Sequence, residues 1–373
     1  MGPRFTELAQ GLPSTVPFVG PEAQERALGR VFRARLGANE SVFGPSPKAI
    51  VAMEREAAAA WKYADPESHD LKAALAAHHG VSAECLSVGE GIDGLLGNLV
   101  RLLVGTGDAV VTSLGAYPTF NYHVAGFGGS LHAVPYRDDR QDLLALIEKA
   151  AEVDAKLVYI CNPDNPMGGW WSGDEVSAAI AKLPEGAVLC LDEAYADTAS
   201  SDALPALDTT HPRVIRMRTF SKAYGLAGTR VGYAITHPDF AQAFNKVRNH
   251  FGMSRVSQVG ALAALEDQAY LAETVERVAA ARESIAQIAS KRGLKALPSA
   301  TNFVTVDMGE GEALAKAMVA ALGHHGVFVR MPFVAPQNRC IRISAGTDAD
   351  LAVLDEVFDA ALSDARPAHS PAK

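Results

Sequence analysis

Between residues 110 and 235 of this 373-residue chain, short apolar runs alternate with stretches of helical pattern. Val110–Thr112, Leu131–Val134, Leu157–Ile160, Val188–Leu191, Val214–Met217 and Val231–Ile235 read as strands, with Gln141–Val153 and Asp174–Lys182 as helices among them. A strand that is apolar on both faces must be covered on both. The alternation therefore predicts an α/β fold, a mostly parallel sheet with helices packed against it. Ahead of it, Pro3, Pro13 and Pro17 punctuate a mobile arm over residues 1–20, and Arg33–Pro47 is extended and turn-rich. Helices are expected over Lys48–Trp61 and Asp70–His79, the second closed by Gly80.

The pattern changes near Ser254. Gln258–Lys291 reads as one long helical stretch, rich in Ala, Glu and Arg. Short strands come next at Asn302–Val306, Val327–Arg330 and Cys340–Ile343, with helices at Glu312–Leu322 and Asp348–Leu362. These describe a smaller α+β unit, in keeping with a length that suggests two domains. The expected division is an arm and leading segment at 1–45 packing on the small domain, a large domain at 46–255 and a small domain at 256–373. The tail Ala365–Lys373 is expected to fray.

Composition excludes several classes of function. With 34 Lys and Arg against 43 Asp and Glu, the formal charge is −9. That disfavours nucleic acid or an anionic membrane as a partner and still allows a local basic pocket. Cys85, Cys161, Cys190 and Cys340 show no C-x-x-C spacing and no His at zinc-finger distance. They read as buried free thiols of a reducing compartment, so a cytoplasmic protein without a metal site is expected. No basic start leads into an apolar run, and no stretch of about 18 apolar residues occurs. Neither a signal peptide nor a membrane span is expected.

The chemistry gathers at strand ends, where open α/β sheets bind ligands. Leu157–Ile160 runs into Cys161-Asn-Pro-Asp-Asn-Pro-Met-Gly168. Val188–Leu191 ends on Asp192-Glu-Ala-Tyr195. Val214–Met217 runs into Arg218-Thr-Phe-Ser-Lys-Ala-Tyr-Gly225. An amide, a carboxylate with a tyrosine, and a lysine would thus converge on one crevice. Taken singly, such an aspartate is commonly a turn residue, such a lysine is commonly solvated, and Asn-Pro is commonly just a turn. Gly89-Glu-Gly-Ile-Asp-Gly94 matches a dinucleotide-binding string, but the next strand runs into Ser113-Leu-Gly115 without the acid that site needs. The simpler reading is a glycine-permitted turn opening a helix whose free N–H groups can hold a phosphate.

Together these segments closely resemble the fold-type I aminotransferases that use pyridoxal phosphate, over roughly residues 35–360, and most nearly the histidinol-phosphate aminotransferases. The resemblance makes Lys222, in Ser221-Lys222, the lysine that forms the Schiff base. Arg230 becomes the phosphate-binding arginine, with Thr219 and Ser221 beside the cofactor. Asp192 would pair with the pyridine nitrogen, and Tyr195 and Asn165 would hold the ring hydroxyl. Gly91, Ile92 and Asp93 would cradle the phosphate, Phe120 would stack on the ring, and Tyr63 would reach the phosphate from a second subunit. Arg342 would clamp the substrate carboxylate, Arg330 the substrate phosphate, and Asn39 lies in a segment lining the substrate side.

The residue types suit that chemistry. Lys222 must be a neutral amine to attack an aldehyde and later to move a proton, and burial near Arg230 would lower its pKa. Asp192 must stay ionised to keep the ring nitrogen protonated. Arg342 offers a planar fork to a carboxylate. The chain departs from the family at Asn39-Glu-Ser-Val-Phe-Gly44, at His123 and at Trp170-Trp171. His123 is balanced between substrate contact and packing, and the tryptophans favour packing on the next helix.

The resemblance implies a homodimeric aminotransferase exchanging an amino group between an amino acid, or histidinol phosphate, and a 2-oxo acid such as 2-oxoglutarate. Alternatives on the same scaffold are an aromatic amino acid aminotransferase and an amino-acid-phosphate decarboxylase. A non-catalytic cofactor-binding regulator lacks an attached basic helix-turn-helix segment.

Overall fold

The structure, a computed structural model, describes residues 2–14 and 19–366. The part of the expected fraying tail beyond residue 366, and Pro17 of the arm, lie outside the described residues. Within the arm, Glu7–Gly11 forms a short helix, with the Thr6 hydroxyl accepting from Ala9 N at its start.

The described residues form twelve strands: β1 (Ala34–Arg35), β2 (Leu86–Gly89), β3 (Ala109–Ser113), β4 (Ser130–Val134), β5 (Leu157–Cys161), β6 (Val188–Asp192), β7 (Val214–Thr219), β8 (Gly232–Ile235), β9 (Lys295–Ala296), β10 (Phe303–Asp307), β11 (Val327–Phe328) and β12 (Cys340–Ser344). Seven of them make one sheet in the order β2-β8-β7-β6-β5-β3-β4. Only β8 runs against its neighbours; the pairings from β7 through β4 are parallel. The six expected strands of this sheet are all present. β2 joins them at the edge; its four residues end in glycine and carry little strand signal of their own.

The period of two along each strand sorts the side chains onto two faces. Tyr159, Cys161 and Cys190 face the helix Gly91–Leu103, whose Leu95, Leu96, Leu99 and Val100 cover them. Val158, Ile160, Leu189 and Leu191 face the helices Leu143–Glu152 and Gly173–Ile180. Each such fully buried aliphatic side chain contributes roughly 1.5–3 kcal/mol. Asp192 therefore ends β6 on the first face, and Glu193 turns to the second, where Arg216 and Arg218 hold its buried carboxylate.

The expected single helix Gln258–Lys291 is two helices, Arg255–Glu266 and Gln268–Ser290. The break is at Asp267, whose backbone leaves the helical region (φ −99°, ψ 61°) and whose carboxylate accepts from Lys48 at 2.8 Å. Helix Arg255–Glu266 packs on Pro47–Ala57, and its Ala261, Ala264 and Leu265 share a core with Ala49 and Tyr233. A separate apolar core begins only at Val278 and takes in β10, β12, and the helices Glu312–His324 and Asp348–Ala365. Ala34 and Leu36 belong to it as well, because β1 pairs in parallel with β11. The change of core partner thus falls inside Gln268–Ser290, later in the chain than residue 256.

The expected strand Val327–Arg330 is regular only over Val327–Phe328; Arg330 then meets Arg342 of β12 in an isolated antiparallel bridge. Among the described residues, no helix is long and apolar enough to cross a membrane, and no group of three or more His, Cys, Asp or Glu side chains could hold a metal ion.

Candidate active site

The carboxyl ends of β5, β6 and β7 open onto two adjoining chambers of about 260 and 390 Å³, with Lys222 in the wall of both. Asp192, the last residue of β6, faces the smaller one. Its Oδ2 accepts from the Tyr159 hydroxyl at 2.6 Å and its Oδ1 from Ala194 N at 2.9 Å. Burial pushes its carboxyl up to about 6. The Lys222 Nζ donates to the Asn39 carbonyl at 3.2 Å. Burial, then the positive Arg342 and Arg230, bring its amine down to about 8.

One end of the smaller chamber is built for an anion. Gly91, Ile92 and Asp93 open the helix Gly91–Leu103, whose first N–H groups have no partner within the helix. Arg230 lies over them in a left-handed backbone conformation (φ 55°). Its Nη1 donates to the Ser221 hydroxyl at 3.3 Å, and the Thr219 hydroxyl donates to the same oxygen at 2.9 Å. Gly91 has φ 73°, which favours glycine, and a Cβ there would stand 2.5 Å from Arg230 Nη2 and displace the guanidinium.

At the other end, the Asn39 amide donates to the Tyr195 hydroxyl at 3.0 Å, and burial pushes that phenol up. Asn165, from the turn after β5, accepts from Arg342 Nη1 at 2.6 Å. Both Asn165 and Tyr195 line the smaller chamber.

Arg342, Arg330 and Asn39 line the larger chamber. The two arginines face each other across paired backbone bonds of 3.2 and 2.6 Å. Arg330 also donates to the Val19 carbonyl at 2.9 Å. Burial, with Arg330 nearby, lowers Arg342 to about 10. The opposite wall is apolar, with Leu114, Leu131, Pro332 and Val334. Ser113 Oγ, Asn121 Oδ1 and Arg342 Nε are buried in the residues around this chamber with no hydrogen-bond partner among the described residues.

One expected site residue lies elsewhere. Phe120 is fully buried in the core and stacks on Tyr159 with 4.4 Å between ring centres. The aromatic in the wall of both chambers is Tyr117, three residues earlier. Pro118 starts the helix Pro118–Gly126, so Tyr117 stands outside it at the mouth while Phe120, on the first turn, faces inward. Tyr63 is 81% exposed, rests against Phe251 with 4.9 Å between ring centres, and borders neither chamber within one chain. His123 also borders neither; its Nε2 lies 3.0 Å from Asp93 Oδ1. Trp171 donates to the Gln141 carbonyl and lies under Arg140, and Trp170 sits beside the same arginine, both outside the chambers. Sequence reasoning missed Tyr117, Tyr159 behind Asp192, and the pair Ser113 and Asn121. A tyrosine directly before the proline that opens a helix was the available signal for the first.

The sheet, the second core and the lysine between the chambers define a fold-type I transferase. Residues 34–358 match the family of aminotransferases of class I and II, and the chain belongs to that family. It is 33% identical over 361 residues, 96% of either chain, to histidinol-phosphate aminotransferase 1 of Nitrosococcus oceani. It is similar also to the crystal structure of histidinol-phosphate aminotransferase from Sinorhizobium meliloti in complex with pyridoxal-5'-phosphate, at 55% identity and TM-score 0.94, covering 97% of this chain and 98% of that one. L-threonine-O-3-phosphate decarboxylase from Porphyromonas gingivalis shares the fold, at 16% identity and TM-score 0.74 over 88% of this chain and 99% of that one.

Proposed function

We propose that this chain is a pyridoxal-phosphate-dependent aminotransferase that moves an amino group between histidinol phosphate and a 2-oxo acid such as 2-oxoglutarate. The observation that carries the reading is Lys222: a half-buried amine, brought down to about 8, in the wall between an anion cradle and a chamber with two arginines.

The smaller chamber fits pyridoxal phosphate. Arg230, Ser221, Thr219 and the N–H groups of Gly91–Asp93 would hold the phosphate. Asp192 would pair with the ring nitrogen, Tyr195 and Asn165 with the ring hydroxyl, and Tyr117 would lie against the ring. When bound, the cofactor supplies an electron sink for the electrons of a breaking substrate C–H bond. The Asp192 carboxylate, fixed by Tyr159 and Ala194, would favour a proton on the ring nitrogen. The Lys222 amine would accept the substrate proton and give it back, general acid–base work suited to a pKa of about 8. Arg342 and Arg330 fix the anionic end of the substrate, which sets the direction of the C–H bond.

Histidinol phosphate has no α-carboxylate, so both arginines would serve its phosphate. A charge-assisted contact of this kind is worth roughly 1.5–3 kcal/mol. Arg330→Ala is expected to lower kcat/KM for histidinol phosphate roughly ten- to a hundredfold, and much less for phenylalanine. The apolar wall at Leu114 and Leu131 favours an aromatic amino acid as the second reading. A panel of amino donors and oxo acids decides between them; a wild type that ignores histidinol phosphate but accepts aromatic donors sinks the first. Accumulation of the amine form of the cofactor with donor alone separates a transaminase from a decarboxylase.

The reading includes a homodimer. Trp61 and Tyr63 are each 81% exposed, and Phe251 beside Tyr63 is 53% exposed, an apolar group that a second copy would cover. Sedimentation is expected at about twice 39.3 kDa; a fully active monomer would refute it. It also includes a leading segment at residues 1–45 on the small domain, supported by Ala34 and Leu36 in the second core, and a large and a small domain whose boundary, on the support of the two apolar cores, lies within Gln268–Ser290 and not at 256. Four buried, free cysteines support a cytoplasmic setting.

A further inference from the structure

We infer that His123 is a positioning residue that draws the Asp93 carboxylate away from the anion cradle. The inference rests on the reading of the smaller chamber as the pyridoxal phosphate site. Asp93 is the third residue of the helix Gly91–Leu103 and lines that chamber, beside Arg230 and Tyr117. A carboxylate in the first turn of a helix is favoured by the helix dipole. Here it stands among the same N–H groups and beside the same arginine that a bound phosphate requires. Left to itself, it would compete for those donors and repel a dianion.

The neighbouring helix Pro118–Gly126 supplies the counterweight. His123, in its last turn, brings Nε2 to 3.0 Å from Asp93 Oδ1. The ring has a prepared seat. Gly97 lies one turn beyond Asp93, on the same face of the helix. A Cβ there would stand 2.9 Å from His123 Cε1 and 3.0 Å from Nδ1. Glycine inside a helix costs about 1 kcal/mol relative to alanine. At this position it lets the imidazole lie against the backbone and reach the carboxylate. Asp93, Gly97 and His123 thus form one device at the rim of the cradle, and none of the three needs to touch the reacting atoms.

The device predicts an interaction between two substitutions that simple loss of packing would not produce. Affinity of the apo chain for pyridoxal phosphate, read by absorbance titration, is measured in wild type, His123→Leu, Asp93→Asn and the double variant. His123→Leu frees the carboxylate and is expected to weaken binding roughly tenfold. Adding Asp93→Asn is expected to restore it to within about twofold of Asp93→Asn alone. His123→Gln, which can still donate to Asp93, is expected to retain most of the wild-type affinity. Unchanged binding in His123→Leu overturns the inference, as does a double variant as weak as His123→Leu. A wild type that binds no pyridoxal phosphate overturns the reading of the chamber, and the inference with it.

Discussion

Lys222→Ala is expected to lower transamination on the order of 10⁴-fold while the folded chain loses no stability. The amine sits in a half-buried position, and desolvation there with the Arg342 and Arg230 charges brings it down from 10.5 to about 8. Its pKa is lower folded than unfolded, so between pH 8 and 10.5 the unfolded chain binds more protons. Folding is therefore favoured as pH rises through that window, and below about pH 8 the lysine's full cost is present. Removing it takes away both the proton carrier and that cost. The expected result is an inactive apo chain whose Tm at about pH 7 is at or above wild type. In wild type, the rate of cofactor capture should climb to about pH 8 and level off above it. Borohydride should fix the cofactor on Lys222. Normal turnover in the alanine variant, or a label on another lysine, would overturn the assignment.

Asp192→Asn is the second large effect. The side chain keeps its shape but carries no charge. Its carboxylate accepts from Tyr159 and Ala194, and the amide can accept at only one of its two positions. Losing one member of a buried charged pair costs about 3–5 kcal/mol. kcat is therefore expected to fall by roughly 10²–10³-fold or more. Cofactor should still be captured, because Lys222, Arg230 and Ser221 are untouched. Near-normal kcat would mean that Asp192 only ends its strand.

The strands, and the polar residues just past their carboxyl ends, were legible in the chain. Asp192 directly follows an apolar run, and Asn165 and Lys222 come within a few residues of the ends of two others, so a parallel sheet brings all three to its carboxyl end. The features that escaped were decided by partners elsewhere. Phe120 and Tyr117 are both aromatic and three residues apart; which one enters the core depends on where Pro118 starts the helix. The break at Asp267 leaves no mark in the apolar pattern, because the helices on either side are both apolar along one face; the partner of its carboxylate, Lys48, lies far back in the chain. His123 offered no cue to Asp93, since their contact joins neighbouring helices. The opposition of Arg330 and Arg342 is a matter of register across an isolated bridge, which neither segment reveals alone.

The passage of the chain through the second core at both of its ends bears on how the protein is made. All seven strands of the main sheet lie between Leu86 and Ile235, so that sheet can assemble while the rest is still being synthesised. β1 cannot pair until β11 has left the ribosome. Asn39, whose carbonyl receives the lysine, is tied to Ser344, 305 residues downstream. Arg342, whose charge helps lower the pKa of that amine, emerges equally late. A nascent chain therefore carries Lys222 without two of its partners, the Asn39 carbonyl as held in the finished fold and the Arg342 charge. The complete set of groups that lowers its pKa is therefore assembled only when the last strands arrive.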